Sequence, residues 1–113
     1  MTESEFLTLA EHTLNAIEAA LDQPALLDLI DVECSRSGNV LEIELVDNGS
    51  KIIVNSQAPL QEMWVAAKSG GFHYKHDGQQ WRNTRDSSEM FASLSAMLSQ
   101  QGGQPVIIAQ FTN

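Results

Sequence analysis

With 113 residues and 42% hydrophobic side chains, the chain can form one modest core, and it reads as a single domain over residues 1–113. Its formal net charge of -9 argues against binding nucleic acid or an anionic membrane surface, and no apolar run is long enough to cross a bilayer. One cysteine excludes an internal disulfide and fits a reducing compartment, so a cytoplasmic protein is expected.

The opening MTESEFL is acidic and lacks a basic-then-apolar leader pattern. Residues 3–22 read as a helix: Thr2 and Glu5 form a capping box, and Gln23-Pro24 stops the run. Phe6, Ala10, Thr13, Leu14, Ile17 and Leu21 share one stripe that should face a core. Glu11, Asn15, Glu18 and Asp22 lie on the adjacent stripe, so acids run along the flank of the buried seam.

After a connector, Gln23–Leu29, two stretches alternate in the two-residue rhythm of half-buried strands, Ile30–Cys34 and Val40–Val46. Asp47-Asn48-Gly49-Ser50 is a hairpin signal, and Lys51–Asn55 returns as a third strand. Glu62–Ala67 and Phe72–His76 read as a fourth and fifth strand, and Gln80–Arg82 as a short sixth after the Asp77-Gly78 turn. A second helix spans about Ser87 to Gln101, with Asp86 and Glu89 in a capping arrangement and Gly102 able to close its end. The order helix, antiparallel strands, helix predicts an α+β sandwich of two layers, two helices packed on one face of a five- to six-stranded antiparallel sheet.

Strand alternation sorts the side chains. Ile30, Val32, Cys34, Leu41, Ile43, Leu45, Ile52, Val54, Met63 and Val65 should point toward the helices, with Cys34 a core thiol. The open face receives Asp31, Glu33, Glu42, Glu44, Lys51, Asn55, Glu62 and Trp64. Trp64 is either shielded by a neighbouring strand or loop or serves as a contact residue. Trp81 reads mainly as packing. His73 and His76 point to opposite faces, which argues against joint metal ligation. No phosphate loop, nucleophile triad or CxxC is present.

Charge is concentrated. Residues 1–47 hold 11 of the 15 acids against one cation, Arg36, for a charge of −10, while residues 48–113 hold 4 acids and 5 cations. Solvation alone explains most acidic surfaces. Here, however, the helix flank (Glu11, Glu18, Asp22) and the first strand (Asp31, Glu33) are joined by a short connector and should form one ridge. Carboxylate-only clusters suit hard, oxygen-preferring cations such as Ca2+, Mg2+, Mn2+ and iron, bound weakly without a closed cage. The same field would attract a Lys/Arg-rich protein patch.

The run DNGSKIIVNSQAPLQEMWVAAKSGGFHY resembles the core signature of the frataxin family, and the whole chain resembles its bacterial branch. The pieces that carry the likeness are the turn Asn48-Gly49-Ser50, the element Asn55/Gln57/Pro59 followed by Trp64, Gly70-Gly71-x-His73, and the opening SEF before an acidic first helix. The resemblance implies a non-enzymatic role in iron–sulfur cluster assembly, with Fe2+ and Fe3+ held weakly on an acidic ridge and other divalent cations possible. It also implies docking of that ridge on cysteine desulfurase, which modulates sulfur transfer to the scaffold protein. By position the ridge is Glu18, Asp22, Asp31 and Glu33, to which helical spacing adds Glu11. Asn55, Gln57 and Trp64 match the family's second contact surface. The connector departs from the bacterial pattern, since Asp28 is its one acid, and Leu7 stands where some relatives have histidine. Docking depends less on that connector than iron binding does, because long-range attraction needs net field more than placed ligands.

Three readings follow. One is an iron-binding regulator of cluster assembly, monomeric without metal. A second is a pure interaction module whose acids steer a basic partner. The third, ferroxidase activity, needs closely spaced, partly buried ligands, whereas the acids here are expected to be exposed.

Overall fold

A computed structural model describes residues 1–109. Helix α1 runs Glu3–Leu21 and is followed by one turn of helix, α2, at Pro24–Leu27. Six strands come next: β1 Val32–Ser37, β2 Val40–Leu45, β3 Ser50–Gln57, β4 Glu62–Ala67, β5 Gly70–His76 and β6 Trp81–Asn83. A 3-10 turn at Ala58–Leu60 links β3 to β4, and helix α3, Met90–Gly102, follows the sheet. The strands pair antiparallel with their sequence neighbours, in the order β1-β2-β3-β4-β5-β6.

The first helix starts on the expected box: the Thr2 hydroxyl accepts the Glu5 N–H at 3.1 Å, and the Glu5 carboxylate accepts the Thr2 N–H at 2.8 Å. All six residues of its apolar stripe are buried, as are Met90, Phe91, Leu94, Met97 and Leu98 of α3. They cover the inner face of the sheet, where Leu41, Ile43, Ile52, Val54, Met63 and Val65 are at most 1% exposed. Trp81, on the edge strand β6, is buried edge-on to Phe6 with ring centroids 6.0 Å apart, and its indole N–H donates to the Thr13 hydroxyl at 3.0 Å.

Several boundaries differ from the sequence reading for identifiable reasons. The connector folds as α2, with Pro24 at the first helical position and Leu26 as its buried anchor. The carbonyl of Leu26 then accepts the N–H groups of Leu29 and Ile30, so ladder pairing starts only at Val32. Asp31 therefore precedes β1, although its carbonyl accepts the Val46 N–H at 3.0 Å. The N-cap of α3 is Glu89, whose carboxylate accepts from Phe91 and Ala92 N–H, while Asp86 is occupied by the Ser88 N–H and hydroxyl. Gly103, at φ +75°, closes α3 in place of Gly102.

Cys34 is a correction. It sits opposite buried Ile43 and so faces the helix side, but it is exposed. The cause is position: β1 is an edge strand, and Cys34 lines the open groove between it and α1.

Two polar devices tie the layers together. Buried Gln101 on α3 accepts the Lys68 N–H at 3.0 Å and donates to the Ser50 hydroxyl at 3.1 Å, joining the β2–β3 and β4–β5 turns to the helix. The hydroxyls of Ser95 and Ser99 accept the N–H groups of Ile108 and Val106 at 2.9 Å each, which seats those buried residues against α3. Among the described residues no buried side-chain polar atom lacks a partner, and no helix is long and apolar enough to cross a membrane.

Candidate functional site: an acidic edge and an open sheet face

The helical flank and the edge strand meet as the sequence predicts, but with a cation between them. The Arg36 guanidinium, on β1, donates to the Glu11 carboxylate at 2.9 Å, to Glu18, and to the Asn15 amide oxygen at 3.1 Å. Its Nε–H donates to the Gly38 carbonyl at 2.8 Å. Glu11, Asn15 and Glu18 recur every three to four residues, so they line one flank of α1 and all reach a single planar group.

The expected set of Glu11, Glu18, Asp22, Asp31 and Glu33 is therefore divided. Glu11 and Glu18 are ion-paired. Asp22, Asp31 and Glu33 are exposed and form no ion pair among the described residues. Glu33 lies directly opposite Glu44 across β1 and β2, a like-charge pairing that weakens a sheet, while Lys51 faces Glu44 from β3. Glu42, in the same layer, is held by Lys51 at 3.3 Å. Among the described residues no three His, Cys, Asp or Glu side chains converge to hold one ion. The donors are carboxylate oxygens, the chemistry hard cations prefer, spread along a ridge without a cage.

Between α1 and β1 the ridge borders a shallow groove lined by Glu18, Leu21, Asp22, Leu27, Val32 and Cys34. Partial burial, then the Glu18 and Asp22 carboxylates, push the Cys34 thiol up to about 11. The thiol is thus protonated at neutral pH.

On the open face, Asn55, Trp64 and His73 stand in one row across β3, β4 and β5, with Gln57 opposite Glu62 in the next. Trp64 is half-buried rather than bare. The His73 ring stacks on it at 4.6 Å and 10°, and its indole N–H donates to Glu62 at 3.0 Å. Glu62 also meets His73 at 3.4 Å and Lys75 at 3.9 Å, leaving its side chain 11% exposed. His76 packs edge-on against Trp81 on the other side, where burial lowers its pKa against the opposing pull of Asp77.

The sequence reading missed the parts played by Arg36, Glu62 and His73. A signal existed for the first, as the lone cation among the first 47 residues. For the others, strand register supplies it, since same-face partners in adjacent strands become neighbours.

Comparisons with known proteins agree with this architecture. The family model described as a frataxin-like domain matches residues 1–104. The iron-sulfur cluster assembly protein CyaY of Herminiimonas arsenicoxydans is 68% identical over 108 residues, 96% of each chain, and that of Janthinobacterium sp. (strain Marseille) matches equally. Frataxin from Psychromonas ingrahamii superposes with a TM-score of 0.85 at 30% identity, over 96% of this chain and 99% of that one. Trimeric frataxin from the yeast Saccharomyces cerevisiae, in a ferrous complex, shares the fold at a TM-score of 0.63 and 20% identity, over 92% and 88% of the two chains. Sheet order, helical cover and sequence together place the chain in the frataxin family, and it belongs to that family.

Proposed function

We propose that this chain is a non-enzymatic regulator of iron–sulfur cluster assembly that carries Fe2+ or Fe3+ weakly on its acidic edge and docks that edge on a cysteine desulfurase. The observation that carries the reading is the cluster-assembly role named for relatives that are 68% identical over nearly the whole chain. The charge distribution supports it: Asp22, Asp31 and Glu33 form no ion pair among the described residues, beside a strand where Glu33 opposes Glu44. Oxygen donors in that arrangement suit iron, and the accompanying field draws a basic protein patch toward the edge. Asn55, Gln57 and Trp64, with Trp64 held by Glu62 and His73, supply the second contact surface, for the assembly machinery. In this reading the protein works in the cytoplasm, as a monomer when free of metal.

The test is an anaerobic Fe2+ titration followed by NMR, with and without purified desulfurase. Selective perturbation of Asp22, Asp31 and Glu33, together with loss of desulfurase binding on combining Asp22→Lys with Glu33→Lys, supports the reading. Perturbation scattered evenly over all acids counts against a defined cation surface. A second reading, in which the acids steer the partner and iron plays no part, draws on the absence of three converging ligands among the described residues. It expects desulfurase affinity to be the same with and without metal.

A further inference from the structure

The geometry points to Arg36 as a built-in occupant of the ridge, an internal cation that withholds Glu11 and Glu18 and confines external cations to the end formed by Asp22, Asp31 and Glu33. This role rests on the ridge accepting cations, as proposed above, and concerns which part of it does so.

Four hydrogen bonds hold the guanidinium, two of them to carboxylates and one each to the Asn15 amide and the Gly38 carbonyl. Its side chain is only 18% exposed, whereas Glu11 and Glu18 remain 60% and 36% exposed. The acids thus look available from outside, although both carboxylates are engaged by the guanidinium and one of their two negative charges is offset. A cation approaching Glu11 or Glu18 must displace a planar group whose donors are pre-aimed and charge-assisted, and it meets a fixed positive charge on arrival. At the other end no such competitor exists among the described residues, because Asp22, Asp31 and Glu33 form no ion pair there. The ridge is therefore shorter electrostatically than it is in sequence. Arg36 also fastens the β1 edge to α1, so one residue sets both the position of the ridge and its usable length.

The experiment uses La3+, a diamagnetic, oxygen-preferring cation, and follows the side-chain carboxylate 13C resonances and the Arg36 Nε–H signal. In the unaltered protein, early additions should shift Asp22, Asp31 and Glu33 while Glu11, Glu18 and Arg36 Nε–H stay in place. This arm needs no variant and so does not depend on how well one folds. In Arg36→Gln, Glu11 and Glu18 should join the shifting set, and apparent affinity should rise by about five- to tenfold, as expected for removing one unit charge from a trivalent ion's neighbourhood in water. Early shifts at Glu11 and Glu18 in the unaltered protein, with loss of the Arg36 Nε–H signal, would overturn the role of Arg36. So would a folded Arg36→Gln protein with unchanged sites and affinity. Absence of selective shifts in both proteins would instead sink the cation-accepting ridge itself.

Discussion

The thiol of Cys34 is accessible at the groove between α1 and β1, yet its pKa is pushed up to about 11 by partial burial and then by Glu18 and Asp22. Exposure and reactivity therefore part company, because the thiolate and not the thiol is the nucleophile. Alkylation by iodoacetamide should be slow at pH 8, keep rising beyond pH 10 and show its inflection near 11. Asp22→Asn should move that inflection down, read from rate-against-pH curves. The folded thiol holds its proton more tightly than the unfolded one, at 9.0, so its contribution to stability is full below pH 9 and fades as pH rises toward 11. Asp77 runs the other way. It accepts the Gln80 and Gln79 N–H groups in the β5–β6 turn and pairs with Arg82, which brings its pKa from 3.8 to about 2. Its contribution is present above pH 4 and is lost as pH falls toward 2. Urea melts should show an advantage over Asp77→Asn at neutral pH that narrows across that window.

At the level of elements, the packing of α3 on the chain entering β1 has little slack. A Cβ added at Gly102 would come within 2.8 Å of Ile30 Cγ2, inside any normal contact distance. Overpacking of this kind costs about 1–3 kcal/mol, offset by at most about 1 kcal/mol of helix propensity gained on replacing glycine. Gly102→Ala should therefore lower stability by up to about 2 kcal/mol in urea denaturation and bring no gain, despite the better helix former. The turn around Pro24–Leu27 matters for the same junction: α2 delays the start of β1 to Val32 and leaves Asp31 just ahead of the strand.

For the whole molecule, the decisive quantity is the imbalance of charge, −10 over residues 1–47 within a total of -9. Glu33 facing Glu44, beside Asp22 and Asp31, which form no ion pair among the described residues, adds to the self-repulsion of the folded state. Salt screens that repulsion over about 10 Å at 0.1 M, so thermal stability should rise as NaCl is raised from low to physiological levels. The proposed attraction to a basic desulfurase patch should weaken over the same range, since one field would underlie both effects. Calorimetry and binding titrations at matched salt check the pair, and a melting temperature indifferent to salt would remove self-repulsion from the account.

Much of this architecture was legible in the chain. Both helical stripes, the alternation of the strands, the Thr2–Glu5 cap and the hairpin at Asn48-Gly49 are local patterns, and local periodicity decides which face of an element is apolar. The family signature and the acidity of the first 47 residues are equally properties of composition and order. What needed the tertiary structure was long-range placement. Periodicity puts Cys34 on the inner face but cannot say that an open groove separates the edge strand from α1 there. Spacing aligns Glu11 with Glu18, yet only the approach of β1 to α1 brings Arg36 between them. Trp64 falls on the open face by alternation, while its cover by His73 and its anchor at Glu62 come from strand register. Residues near in sequence are coupled by the repeat of the backbone; residues brought together from distant positions meet only once the whole chain has packed.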